Sequence, residues 1–367
     1  MLSLKSYLTK LYKTIVKRDI FLAVLVVAVV VLTGLFLGWE NNKIIPLNPD
    51  QLAHYTGEPS NPLKYLSNWD GPIYLRIASH GYTDIEDTGF FPFYPLVVSF
   101  VDQIVRSTLV SALIVSWASL VGAVYFYLKI LKKIFNIHDN LEALKGVYFF
   151  ILFPPAVVLI ATYTESLFAL LALGAIYFAL NKKYLPAALL VMLSTATHIY
   201  GLFVLVLVAQ ILYEEKERLS KVILGAAIGV IGLVSYMLFL LDSYRNPLEF
   251  ITAQKTNGWL HGGYFHRIVS QFSFFDLGVA ILLLISIYYW WSRRKSFSVY
   301  SFLYLLIPIL GGQFGGFSRY AIMVFPFQFM LFERIRGSKL LYPLSIGVLS
   351  IFWGYVLLQF AGGYTGV

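Results

Sequence analysis

The run Asp19-Ile20-Phe21-Leu22-Ala23-Val24-Leu25-Val26-Val27-Ala28-Val29-Val30-Val31-Leu32, continued to Trp39 without another charge, decides the fold. About twenty apolar residues at about 1.5 Å each cover a hydrocarbon core of about 30 Å. Comparable runs recur along all 367 residues, of which 59% are hydrophobic and 13% charged, with a mean hydropathy of +0.74. That balance excludes an ordinary soluble domain and reads as an all-α polytopic membrane protein in one integral membrane domain, 1–367.

Upstream of the run, residues 1–18 carry Lys5, Lys10, Lys13, Lys17 and Arg18. The span that follows is long and has no small-residue cleavage site after it, so it reads as an uncleaved first helix with a basic cytoplasmic N-terminus. The net charge of +9 comes from short cationic clusters between apolar runs. This is the pattern of cytoplasmic loops, not of a nucleic-acid partner. With no cysteine in the chain, disulfides, thiolate metal sites and a cysteine nucleophile are excluded.

Downstream, a first external loop is expected over residues 40–92, where seven acids face three cations. A loop this long, rich in aromatics, glycine and proline, is expected to be folded and functional and to carry short helices. The piece 90–105 contains Pro92 and Pro95 and is expected to be partly embedded on the outer side. Spans are expected at 108–130, 146–163 and 166–181. The stretch 185–213 is too long for one untilted helix and short for two, leaving a tilted helix or a re-entrant pair hinged near Thr197-His198. Further spans are expected at 222–241, 273–291, 297–312, 319–333 and 339–358, with a second external loop at 242–271. The total is about nine to eleven helices. No internal repeat is visible, which disfavours a transporter built from inverted halves; a lipid or solute transporter is the alternative function.

On this topology the unusual polar residues gather at one side. Ionisable groups at the bilayer edge are costly unless paired or wet, so they are functional candidates. Asp70 in Asn68-Trp69-Asp70-Gly71-Pro72 is the candidate catalytic carboxylate, with Trp69 as a packing or sugar-stacking wall; a plain N-cap for a helix starting at Pro72 is the other reading. His80, Asp84, Glu86 and Asp87 suggest a hard-cation site or a solvated acidic loop. Glu165 reads as a substrate contact, an orienter of Arg319, or a helix cap with Ser166. His198 lies in an apolar stretch, as a packing residue or a phosphate contact. Lys255, Trp259, His261, His266 and Arg267 share the second external loop, where they suit an anionic head group or an interfacial belt. Arg319 follows the glycine-rich run from Gly311 through Gln313 to Gly316, and its fork suits a phosphate beside the membrane or a plain interfacial anchor.

The ordered motifs Trp69 to Ala78, His80-Gly81-Tyr82, Phe90 to Pro95, Tyr163 to Phe168, Phe250 to Trp259, and Ser318-Arg319-Tyr320 with Phe325-Pro326 resemble the PIG-V family of mannosyltransferases, within the membrane-embedded GT-C glycosyltransferases. The resemblance implies a GT-C fold and an inverting transfer from a polyprenyl or dolichyl phosphate mannose to a hydroxyl of a glycan or glycolipid acceptor on the non-cytoplasmic face. It implies Asp70 as general base. Arg76, Glu165, His198, Lys255, Trp259, His266, Arg267, Gln313 and Arg319 remain the substrate-binding candidates beside Trp69. A donor already carrying one phosphate needs less metal help than a nucleotide-sugar, so the resemblance implies no required cofactor and leaves a divalent metal open. At Thr197-His198-Ile199 the family pattern favours Arg and Pro where this chain has His198 and Ile199, so a permanent cation is replaced by a titratable group.

Overall fold

The computed structural model describes residues 4–44, 62–256, 274–311 and 317–364. Within them the chain is helical and without strands. In order the helices are α1 (Leu4–Ile44), α2 (Asp70–His80), α3 (Phe93–Val105), α4 (Thr108–Ile134), α5 (Asn140–Ile151), α6 (Glu165–Leu180), α7 (Tyr184–Thr197), α8 (Gly201–Glu214), α9 (Leu219–Tyr244), α10 (Glu249–Thr256), α11 (Phe274–Trp291), α12 (Lys295–Gly311), α13 (Phe317–Ala321), α14 (Phe325–Ile335) and α15 (Leu341–Gly362). Tight 3-10 turns occupy Pro62–Leu66, Ile85–Gly89 and Pro154–Leu159.

Among the described residues, five segments are long and apolar enough to cross a membrane: Arg18–Glu40 within α1, and α4, α9, α11 and α15. Shorter apolar helices, α3, α6, α7 and α8, complete the bundle. In α1 the residues Ala23, Val26, Val27, Val30 and Val31 form a buried stripe at helical spacing, while Phe21, Leu25, Leu32 and Phe36 stay exposed. That is a helix packed along one seam with its other face left for lipid. By contrast α6 is apolar all round and central: Ala169, Ala172, Leu173, Ala175, Ile176 and Ala179 are wholly buried, with α4, α7 and α8 packed around them.

The awkward stretch resolves as the hinged pair. The chain breaks at residues 198–200, and a Cβ on Gly201 would sit 2.5 Å from the backbone of Thr195. Only glycine allows so close a fold-back. The Lys221 ammonium lies 5.3 Å from the ring centre of Tyr184, so the start of α7 meets the start of α9, a few residues after α8 ends. Both legs of the hairpin therefore open at the same end of the bundle.

Two expected spans differ. In place of a helix over 146–163, α5 stops at Ile151, and Pro154-Pro155 opens a 3-10 turn instead. Proline lacks the N–H that would continue the helix. In place of 319–333, α13 ends at Ala321 and α14 restarts with Pro326 in its first turn. The piece expected at 90–105 is α3: Tyr94 donates to the Ala112 carbonyl at 3.3 Å and lies 3.0 Å from the Ser116 hydroxyl. Its end joins α4 at Thr108, so α3 runs antiparallel along the first half of α4.

Polar contacts sort the helix ends into two sets. At one, Asp19 sits between Lys129 and Lys132 at 2.6 and 2.5 Å, and Lys132 also reaches Asn140 at 2.5 Å. Glu214 accepts from the amide and hydroxyl of Ser296, Arg294 pairs with Glu215 at 3.0 Å, and Tyr289 donates to Glu333 at 2.7 Å. The other set brings together the first turns of α2 and α6, the 198–200 hinge, α13 and the last turn of α15.

Candidate functional site

Helix α2 begins at Asp70 itself, and Trp69 precedes it at φ 57°, ψ −110°. A bulky side chain in the left-handed region costs about 1–3 kcal/mol and persists only when its surroundings over-determine it. Here the surroundings come from the bend before α6. The Asp70 amide donates to the Tyr163 hydroxyl at 3.2 Å, and that hydroxyl donates to the Asn68 carbonyl at 3.0 Å. Asn68 in turn donates to the Phe360 and Ala361 carbonyls at the end of α15, at 2.7 and 3.3 Å. Gly71 follows, where a Cβ would meet the Thr162 hydroxyl at 2.5 Å; any larger residue would push the start of α2 off that bend.

The Asp70 side chain caps nothing. Its carboxylate accepts from Nη1 of Arg319 at 2.7 Å, across 249 positions of sequence. Nε of the same guanidinium donates to Glu165 at 2.5 Å, across 154 positions. Arg319 also lies 4.7 Å from the ring centre of Tyr163 and 5.5 Å from that of Tyr320, stacking distances at which an aromatic face attracts a cation. Three ionic groups from α2, α6 and α13 thus meet with one positive and two negative charges. Side-chain exposure separates them: Glu165 is 6% exposed, Arg319 10% and Asp70 24%. Asp70 is the member open to a partner, and Glu165 holds the arginine from behind. Glu165 is therefore not a cap shared with Ser166, whose hydroxyl goes to the Leu159 carbonyl.

His198 stands in the hinge beside this group. Its ring stacks on Tyr200 at 4.4 Å and on Phe91 at 6.3 Å, with Phe168 and Tyr320 at its edges, and its Nδ1 accepts from the Tyr200 amide at 3.2 Å. In this arrangement the ring is one member of an aromatic cluster beside Arg319.

Other sequence candidates make their contacts elsewhere or lie outside the described residues. Arg76 pairs with the buried carboxylate of Asp87. The second Asp87 oxygen accepts from the Thr83 amide and hydroxyl and from the Asp84 amide. The acids after His80 therefore fold a loop onto α2, and His80 itself contacts Ser79 at 2.8 Å; no group of three or more metal-ligating side chains occurs among the described residues. Lys255 is exposed on α10, which packs on the 85–89 turn. Trp259, His261, His266, Arg267 and Gln313 lie outside the described residues.

At the far end of α2 lies a cavity of about 850 Å³, between α2, α3, α7 and α9. Ala78, Pro95, Leu96, Leu193, Ile231 and Phe239 line it, with Ser79, Tyr82 and Ser243 among the polar residues at its edge. Leu96, Ile231 and Phe239 belong to the exposed apolar surface of the bundle, so the cavity is continuous with the lipid-facing side. Eight residues of helix, about 12 Å, separate Ala78 from Asp70.

The Tyr163 hydroxyl and Asn68 were not singled out by sequence, although both lie inside motifs that were. Their partners are 93 and 292 positions away, and no local pattern announces such pairings. Residues 12–240 match the family described as Mannosyltransferase (PIG-V). The human protein named GPI alpha-1,6-mannosyltransferase 2 is 31% identical over 146 residues, covering 37% of this chain and 29% of that protein's length. Asp70, Tyr163, Glu165 and His198 fall inside the family match, whereas Arg319 lies beyond it.

Proposed function

Because the chain belongs to the PIG-V mannosyltransferase family, we propose that it transfers a mannosyl residue from a polyprenyl or dolichyl phosphate to a hydroxyl of a glycolipid or other glycan acceptor. The observation that carries this reading is the Asp70–Arg319–Glu165 group, drawn together at the mouth of an apolar bundle. Arg319 holds one oxygen of the Asp70 carboxylate at 2.7 Å, and that side chain is the most open of the three, which leaves it accessible to an acceptor hydroxyl. The acceptor oxygen attacks the anomeric carbon, its proton passes to Asp70, and the bond from that carbon to the phosphate oxygen breaks with its electron pair leaving on phosphate. Attack opposite the leaving group inverts the centre. Arg319 is committed to two carboxylates here, so it serves the base more directly than a phosphate. Trp69, next to Asp70, supplies the wall for the sugar.

The two ends of the bundle support a direction as well. The lysine- and arginine-rich end is assigned to the cytoplasm by the positive-inside rule, which puts Asp70 on the opposite face and the N-terminus inside. The cavity beyond α2 suits a lipid chain of donor or acceptor, being apolar and open to the bilayer side.

The test is transfer by the purified protein in detergent or vesicles, with polyprenyl phosphate mannose and a glycolipid extract, read by mass spectrometry of the product. Mannose-extended product formed by the wild type and lost in Asp70→Asn is the expected result. Donor left intact by the wild type, together with movement of lipid or solute across vesicles, would favour the transporter reading instead.

A further inference from the structure

We infer that Tyr163 is a positioning residue for Asp70, holding the carboxylate and its arginine in register through two separate contacts. The hydroxyl bridges the residues on either side of Trp69, accepting from the Asp70 amide and donating to the Asn68 carbonyl. A direct bond between those two backbone groups would close a tight three-residue turn; the inserted hydroxyl props that turn open with residue 69 in the left-handed region. The ring of the same tyrosine carries the Arg319 guanidinium on its face at 4.7 Å. One side chain, 1% exposed, therefore fixes both the backbone that aims the carboxylate and the cation that holds its oxygen.

The surroundings leave Tyr163 little freedom. Its ring packs edge-on against Tyr74 at 6.3 Å and Phe360 at 5.8 Å, and its carbonyl accepts from Ser116 at 3.4 Å. Asn68 is tied to the last turn of α15, so the far side of the bridge is anchored independently of α2. Without the hydroxyl the turn at Trp69 keeps only the bond from the Gly71 amide to the Asn68 carbonyl at 3.0 Å, the Asp70 amide loses its partner, and relaxation rotates the first residue of α2. Asp70 is that residue. Displacements of about 1 Å in a reacting group lower turnover by about 100-fold.

The inference rests on Asp70 being the base, and the experiment separates the two. Tyr163→Phe keeps the ring and its cation contact and removes only the bridge. Its kcat is expected to fall about 10- to 100-fold, with KM for the donor within about twofold and the melting temperature nearly unchanged. Because the hydroxyl acts through Asp70, the Asp70→Asn/Tyr163→Phe double variant is expected to be no slower than Asp70→Asn alone. Hydrogen exchange supplies a readout independent of turnover: the Asp70 amide exchanges slowly in the wild type and quickly in Tyr163→Phe, with α6 unchanged. Unaltered kcat and exchange in Tyr163→Phe, losses that multiply with Asp70→Asn, or failure of Tyr163→Phe to fold would each overturn the assignment. Full activity of Asp70→Asn with fast exchange in Tyr163→Phe would instead remove the base and keep the bridge.

Discussion

Two buried ionic trios occupy opposite ends of this bundle and are charge images of each other. At one end an acid, Asp19, lies between Lys129 and Lys132; at the other a cation, Arg319, lies between Asp70 and Glu165. Distances are alike, all between 2.5 and 2.7 Å. The difference lies in closure. Asp19 has no exposed surface, its lysines are each 14% exposed, and Asn140 completes the network. The Arg319 trio leaves one flank, Asp70, partly open, and seats it on a strained turn. Coulomb attraction is common to both, so the attraction alone does not mark a site; the open member on constrained backbone is what singles out Asp70 for the proposed role.

Charge arithmetic turns that comparison into experiments. Removing Arg319 leaves two carboxylates with no cation, one of them Glu165 at 6% exposure. Arg319→Gln is expected to lose turnover entirely and about 3–5 kcal/mol of stability, read by transfer assays and thermal melts of purified protein. Removing Asp70 instead leaves an arginine balanced by Glu165. Asp70→Asn is therefore expected to lower kcat by about 10²- to 10⁴-fold, the usual worth of a general base, while the melting temperature moves little. A large drop in melting temperature would reclassify this trio as structural.

Asp19→Asn is the matching break at the other end. It strands two lysines, whose longer stems let them reach water, so a destabilisation of about 3 kcal/mol or less is expected, with kcat of the folded protein unchanged. A lowered kcat there would show the two ends to be coupled and blur the contrast. The smallest effect is expected at Gly71→Ala, where the new Cβ meets the Thr162 hydroxyl. A loss of about tenfold in kcat is expected, with recovery when Thr162→Ala is added. Absence of recovery would mean that α2 is not set against that bend.

Much of this arrangement was legible in the chain. The apolar runs gave the all-helical membrane fold, and their alternation with lysine clusters placed Asp70, Glu165 and Arg319 at one end before any contact was known. Pro154-Pro155 and Pro326 were visible too, yet hydropathy continued across them and suggested unbroken spans; proline's missing N–H prevailed. What local sequence could not convey was pairing at long separation. Arg76 looked free for a substrate until the 83–87 turn brought Asp87 to it. The Tyr163 hydroxyl looked like one more aromatic until the fold placed it beneath a turn 93 residues earlier.

On the proposed reading, helix α2 is a fixed gauge between the acid and the apolar cavity. Its first residue is the carboxylate and its last turns wall the apolar cavity, so the spacing between them is set by helical rise and not by side-chain choice. One residue inserted between them would turn the cavity wall by about 100° relative to Asp70, since 3.6 residues complete a turn. Changes in the preferred lipid are therefore expected to accumulate on α3 and α9, whose cavity-facing positions can vary without moving the acid. On that reading, the length of α2 is the dimension that the chemistry holds constant.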